Sequence, residues 1–222
     1  MHQCRTLIIV LSLLFIGCAA HTNLEPVGAN RISINSSVGG PIIEIFDTNM
    51  PIPYLTTGIN YGVSDRINLD CNLHLLPLAY EIFGIDVGTT FFPILNNGLI
   101  PTVGIQPRYL ILSSFKRNVK VRYRAYPVVS ASAAWASWQG LLYLGMDVTL
   151  PQTSADYHDY GPYIVLSPFA GYRWQIGQDF RLFTELKLHA ANWHTHEMAV
   201  NYTSVGRKGA ATLLFSLERS FR

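Results

Sequence analysis

The stretch HAANWHTHEM, residues 189–198, comes closest to a reactive site in residue types and spacing. His194 and His196 are two residues apart, so on a strand their side chains would point the same way and could share a metal ion. Such a metal would need a third ligand, for example His158 or Asp159 from another polar stretch. The alternative is a solvated loop with ordinary histidines. We favour that alternative and expect no metal and no cofactor.

Ester hydrolysis is the second chemistry that this stretch could support. Some barrel enzymes that deacylate lipid A carry a His and a Ser two residues apart on one strand face. Here His189 is followed two residues later by Ala191, so the nucleophile is absent at the matching position. The sequence also has no Gly-rich phosphate loop and no zinc-type cysteine pair. We therefore expect a protein that is not an enzyme.

The start of the chain has the form of a lipoprotein signal peptide. Arg5 supplies a positive charge, and the apolar run at 7–16 is too short to cross a bilayer as a helix. The run ends in FIGC at 15–18, which resembles a bacterial lipobox with the required small residue at Gly17. The resemblance implies that Cys18 carries the lipid, palmitate included, and anchors the chain stably because several acyl chains are buried. An ordinary signal peptide with an incidental cysteine is the alternative.

The same resemblance suggests how the chain is divided and where it resides. It implies a signal peptide at 1–17, and together with the strand pattern described below we expect an N-terminal tether at 18–29 and a β-barrel domain at 30–222. Ala19 follows the cysteine, and by resemblance to enteric lipoproteins this favours sorting to the outer membrane. The N-terminus is then expected on the periplasmic side.

Alternation of apolar and polar residues is the dominant pattern in the rest of the chain. In RINLDCNLHLL, residues 66–76, every second residue is apolar, so a strand would have one apolar and one polar face. Similar segments recur at 31–45, 54–62, 81–91, 102–112, 119–126, 142–150, 163–174, 181–190 and 211–221. They make ten strands, an even number as in single-chain bacterial barrels.

One segment disturbs this count. VVSASAAWASW, residues 128–138, would be an overlong connection, or a further strand that with a division of 31–45 would give twelve. We predict an all-β, up-and-down antiparallel transmembrane β-barrel of about ten strands, with eight to twelve open. The long loops at 151–162 and 193–208 would then lie on the outer side.

The composition favours a membrane barrel over a soluble one. Only 14% of residues are charged and 12% are aromatic, and the formal charge of +2 argues against nucleic acid as a partner. Aromatic residues gather near predicted strand ends, as at a bilayer interface. These aromatic residues are Tyr54, Tyr61, Phe91, Phe92, Trp135, Trp138, Tyr172, Trp174, Trp193 and Phe221.

The polar face would fill the interior of such a barrel with charges of both signs. The residues predicted to form this polar cluster are Asp70, His74, Asp86, Arg122, Arg124, Asp147, Arg173, Glu185, Lys187 and His189. Asn68, Asn72, Arg108 and Glu218 share that face. Near balance of opposite charges is what pairing inside a lumen would require.

The whole chain resembles small outer-membrane barrel lipoproteins, and YGVSDRINLDCNLHL (61–75) resembles a hairpin of such barrels. This resemblance is to an architecture and implies membrane lipid as a partner but no activity. We expect a structural or interaction role with an unknown protein or small-molecule partner. A narrow channel for small solutes and a soluble periplasmic ligand-binding barrel lipoprotein are the alternatives.

Overall fold

The computed structural model describes residues 22–45, 48–51, 54–115, 123–150, 164–198 and 202–221. Several residues of the sequence predictions lie outside these ranges, namely the signal peptide 1–17, Cys18, Arg122, His158 and Asp159. No helix among the described residues is long and apolar enough to cross a membrane.

Eleven strands in the described part of the chain form one antiparallel sheet. Their bounds are β1 (Ile32–Ile45), β2 (Thr48–Pro51), β3 (Tyr54–Ser64), β4 (Ile67–His74), β5 (Ile82–Ile94), β6 (Thr102–Ser114), β7 (Tyr123–Ser137), β8 (Gly140–Thr149), β9 (Val165–Ile176), β10 (Phe180–His194) and β11 (Lys208–Phe221).

Ten of these strands close into a barrel. From β3 to β11 each strand pairs with its neighbour in sequence, β1 pairs with β3, and β11 pairs back onto β1 from Ile32↔Phe221 to Pro41↔Thr212. The short β2 pairs only with the far part of β1, so it extends one hairpin and is not part of the wall. The predicted up-and-down antiparallel barrel of about ten strands is confirmed.

The segment that disturbed the strand count belongs to one long strand. β7 is continuous from Tyr123 to Ser137 and pairs without interruption with β6 and β8, so most of 128–138 is its second half. Alanine and serine are weak strand formers by propensity. Here the hydrogen-bond ladders on both sides hold them extended, because strand preference depends strongly on sheet context.

The barrel has two unlike ends. At the turn end, where β1 begins and β11 ends, neighbouring strands are joined through residues 65–66, 95–101, 138–139 and 177–179. At the loop end β1 is joined to β3 through residues 46–53, and the remaining connections are residues 75–81, 115–122, 150–164 and 195–207, of which the last two are longer than any connection at the turn end. The two long loops predicted at 151–162 and 193–208 therefore connect strand ends on the same side of the barrel, and their location on the outer side of a membrane stays a prediction.

The wall is apolar outside and polar inside. In β4, Asn68, Asp70, Asn72 and His74 are buried, whereas Leu69 is 45% exposed. The same inversion holds around the barrel, where exposed residues include Ile34, Ile59, Tyr109, Leu142, Leu144, Phe215 and Leu217. The predicted orientation of the two faces is confirmed, and it is the polarity of a transmembrane barrel.

The aromatic residues only partly follow the predicted interfacial band. Tyr61, Phe91 and Trp138 are exposed near the turn end, as predicted. Tyr54 and Phe92 were expected in this band but are buried on the inner face. The expectation was wrong for these two because strand parity, not nearness to a strand end, decides which way a side chain points.

Candidate functional site in the barrel lumen

A network of buried charges crosses the middle of the lumen from β5 to β10. Arg108 Nη1 lies 3.5 Å from Asp86 Oδ2, and Arg108 Nη2 lies 3.1 Å from Asp147 Oδ2. Lys187 Nζ lies 2.9 Å from the same Asp147 oxygen and 3.3 Å from Glu185 Oε1. We call these five residues the charge network. All five are buried, so the network replaces water with paired charges.

Neutral side chains complete the charge network. Ser130 Oγ donates to Asp147 Oδ1 at 2.5 Å, and the Tyr143 hydroxyl donates to Glu185 Oε2 at 3.3 Å. The Lys187 ammonium also lies over the Phe169 ring, 4.8 Å from its centroid. These contacts orient Asp147, Glu185 and Lys187 and supply part of the hydrogen bonding that buried charges require.

The lumen near the loop end is filled by a mainly apolar cluster. Tyr54, Leu110, Leu112 and Tyr126 are buried together on one side of the barrel. His74 joins them through a contact between its Nδ1 and the Tyr54 hydroxyl. The predicted polar residue His74 is therefore a structural partner of a tyrosine in the described structure.

On the other side of the loop end, His189 meets a serine that the sequence did not pair with it. Ser167 Oγ lies 3.2 Å from His189 Nδ1 and accepts the Ala190 N–H at 3.1 Å. Ser167 is 1% exposed, so its oxygen is inaccessible to a substrate in this conformation. Ser167 and His189 therefore form a structural contact between β9 and β10.

Residues 22–27, which precede β1, lie inside the barrel. Thr22 Oγ1 donates to Glu185 Oε2 at 3.1 Å, which joins this segment to the charge network. The Asn23 amide donates to Thr90 Oγ1 at 3.3 Å, and Thr90 in turn donates to Asp70. The second part of the predicted tether therefore occupies the turn-end half of the lumen. We call residues 22–27 the lumen segment.

An apolar pocket holds the lumen segment at its centre. Leu24 is 3% exposed, and its cluster is formed with Ala134, Leu141, Tyr143, Phe169 and Phe183. At about 25 cal/mol per Å² of apolar surface, burial of one leucine side chain contributes about 1.5–3 kcal/mol. This contact gives the segment a defined position.

Two polar clamps hold the lumen segment nearer the turn end. Arg173 Nη1 donates to Glu25 Oε2 at 2.6 Å. The Asn68 side chain accepts the Val27 N–H at 3.1 Å and donates to the Glu25 carbonyl at 3.2 Å. Asn30 N–H then donates to Gly62 O at 2.8 Å, where the chain leaves the lumen and enters β1.

The predicted polar cluster is thus divided among several places. Asp86, Asp147, Glu185 and Lys187 come together in the charge network, with Arg108 as the second cation. Asp70 contacts Thr90, while Arg173 pairs with Glu25 at the turn end, and His74 and His189 lie at the loop end. Arg124 is half-buried on the inward-facing series of β7. Arg122 lies outside the described residues.

The two histidines considered as metal ligands are exposed at the loop end, His194 as the last residue of β10 and His196 in the turn that follows. The His194 and His196 rings lie 5.5 Å apart between centroids. No group of three or more His, Cys, Asp or Glu residues in the described ranges could hold a metal ion. Their possible third ligands, His158 and Asp159, are not among the described residues.

The lumen segment is the part of the site that sequence reasoning missed. TNLEPV has no period of two and no motif, and its partners are 41 to 163 residues away in sequence. Tyr143 was not among the predicted site residues, although strand parity places it on the same face as Asp147. No signal in one sequence marks the lumen segment.

Comparison with known proteins identifies no family. No family model and no curated protein matches the sequence. Among solved structures, the translocator domain of autotransporter NalP from Neisseria meningitidis is 12% identical and has a TM-score of 0.44, with 99% of this chain and 95% of that chain covered.

Two further solved structures give comparable values. The NanC porin is 10% identical with a TM-score of 0.46, covering 86% of this chain and 99% of that chain. The outer membrane protein OprG from Pseudomonas aeruginosa is 8% identical with a TM-score of 0.35, covering 90% and 100%. These likenesses concern the fold.

Proposed function

We propose that this chain is a bacterial outer-membrane β-barrel lipoprotein, anchored by acylated Cys18, with a structural or interaction role. The observation that carries the membrane assignment is the inverted wall, with polar and charged residues inside and large apolar residues outside. In a soluble barrel, exposure of so many apolar side chains to water would raise the free energy of the folded state. In hydrocarbon the same surface is favourable, and closure leaves no unpaired edge.

A packed lumen supports a structural role over transport. Side chains that are less than 2% exposed line the lumen, and these include Asn35, Asn60, Asn68, Asn72, Thr56, Thr90 and Thr212. A continuous water-filled path would wet these polar groups. We therefore expect the barrel to act through its loop end, with membrane lipid around its wall.

Membrane insertion is tested apart from lipid anchoring by removing the anchor. A Cys18→Ala variant should still need detergent for extraction and should still migrate differently on gels with and without heating, because the barrel wall itself holds it in the bilayer. Mass spectrometry should find acyl mass on the N-terminal peptide of the wild type and none on the variant. Release of the variant without detergent would show a soluble barrel and contradict the membrane assignment.

Transport is tested by conductance. Purified protein in planar lipid bilayers should give no single-channel steps across the accessible voltage range, since the buried ion pairs of the charge network and the fully buried polar side chains of the wall block the interior. Reproducible unitary steps from the wild type, absent from a matched detergent control, would favour the narrow channel instead.

A further inference from the structure

The lumen segment reaches deep into the barrel. Thr22 contacts Glu185, which is five residues along β10 from Phe180 at the turn end. At about 3.3 Å per residue and a strand tilt of about 40°, this contact lies about 13 Å inside the turn-end rim. The loop-end limit of β10, His194, is nine residues beyond Glu185 and therefore farther away.

Covalent reach limits where a lipid on Cys18 could be placed. Cys18 precedes Thr22 by four residues, and four fully extended residues span at most about 14 Å. From Thr22 the chain would have to return about 13 Å to the rim and pass beneath a wall that is about 10 Å thick with its side chains. That path exceeds the reach of the peptide chain, so Cys18 itself cannot lie at the bilayer interface, where its lipid would be anchored, while Thr22 contacts Glu185.

We propose that the lumen segment is a removable plug and that acylation of Cys18 withdraws it from the turn-end half of the barrel. This inference rests on the proposed lipid anchor. Once withdrawn, the twelve residues from Cys18 to Asn30 span up to about 40 Å, which is enough to reach the adjacent leaflet. Asn30 can keep its hydrogen bond to Gly62, so β1 and the barrel wall are unaffected.

The balance of interactions favours withdrawal in the acylated chain. The plug is held by one leucine, one ion pair and a few hydrogen bonds. Several acyl chains remove far more apolar surface from water when they enter the bilayer. Withdrawal leaves the Leu24 pocket, Arg173 and Asn68 facing the turn end.

The experiment compares thiol reactivity in acylated and non-acylated protein. Leu24→Cys is placed in a Cys71→Ser background, since Cys71 is a free, exposed cysteine. The acylated form is extracted from membranes, where the Cys18 sulfur is blocked by lipid. The non-acylated form begins at residue 18 with Cys18→Ser and is refolded in the same detergent. Both are treated with a charged maleimide.

In the non-acylated form, Leu24→Cys should react at least about tenfold more slowly than an Ala29→Cys control, whose position is exposed at the rim. In the acylated form the two rates should agree within about twofold. Equal protection of Leu24→Cys in both forms would overturn the proposal. Val27→Cys repeats the measurement in case loss of the leucine itself loosens the plug.

Failure of the lipid anchor in cells can be told apart from failure of the plug mechanism. If membrane-extracted protein carries no acyl mass, the proposed anchor is wrong. The mechanism is then tested on the refolded chain, by coupling palmitate to its N-terminal amine near pH 7, where that amine reacts in preference to lysine. Faster labelling of Leu24→Cys after coupling supports withdrawal, and unchanged labelling overturns it.

Discussion

Asp147 is the residue on which the buried charges of the lumen converge. Its carboxylate contacts Arg108, Lys187 and Ser130, each from a different strand. Removal of one partner from a buried ion pair is costly because it leaves the other charges unpaired in a low-dielectric environment. Asp147 therefore contributes to stability chiefly by neutralising two cations that no water can reach.

Asp147→Asn should destabilise the barrel by about 1–3 kcal/mol, because Arg108 and Lys187 would lose their shared carboxylate and keep only the longer contacts to Asp86 and Glu185, while the shape of the side chain is preserved. The measurement is urea unfolding in detergent, followed by the folded band on unheated gels. Asp179→Asn is the matched control, because Asp179 is half-buried in the turn between β9 and β10 and lies outside the charge network. This variant should change the free energy of unfolding little. Equal midpoints for the two variants would mean that the network contributes nothing to stability.

Among the strands, β8, β9 and β10 pack closely on the inner face because β9 has a glycine between them. Tyr143, Gly171 and Glu185 are cross-strand neighbours on the inner face. A Cβ built on Gly171 would lie 2.4 Å from the Thr184 carbonyl oxygen and 2.5 Å from the Tyr143 hydroxyl. The missing side chain leaves the space in which Tyr143 reaches Glu185.

Gly171→Ala should therefore cost about 1–3 kcal/mol, since the backbone carbonyl beside the added methyl cannot move freely. Gly104→Ala is the control, because its nearest contact would be the small Ser132 hydroxyl at 3.1 Å. Thermal unfolding in detergent compares the two. A larger loss for Gly104→Ala would show that the inner faces are not packed as described.

The outward face of β8 gives a second prediction at this scale. Leu144 lies near the middle of the strand and is 53% exposed. Leu144→Arg should cost about 2–4 kcal/mol in a bilayer and reduce insertion, because a charge at mid-depth must leave water. Trp138→Arg, at the 94% exposed turn position, should insert nearly as well as the wild type. Folding into lipid vesicles at several urea concentrations measures both.

At the scale of the whole molecule, closure between β1 and β11 is what makes the barrel compatible with a membrane. A chain that ends at Arg207 lacks β11 and leaves two unpaired edges, each with N–H and C=O groups that hydrocarbon cannot satisfy. It should fail to give a heat-modifiable band. Deletion of Thr48–Pro51, which removes only β2, should keep that band because β2 is not part of the wall. A heat-modifiable band from the chain that ends at Arg207 would contradict closure as the basis of insertion.

Much of the architecture could be predicted from the sequence because the relevant signal is local. Alternation with a period of two assigns every side chain of a strand to one of two faces, so ten strands and the inward direction of Asp70 and Glu185 follow from short windows. The same local rule fails where several signals compete. Tyr54 and Phe92 were misplaced by their nearness to strand ends, although their parity places them inside.

The strand pattern, the two faces and the set of polar residues that share the lumen follow from local alternation in the sequence. How these residues divide into a charge network, two loop-end contacts and two clamps follows only from the folded barrel, because pairing depends on the register between strands. That residues 22–27 occupy the lumen also follows only from the folded barrel. Their partners lie up to 163 residues away, and contacts between segments so distant in sequence exist only once the closed wall has brought them together.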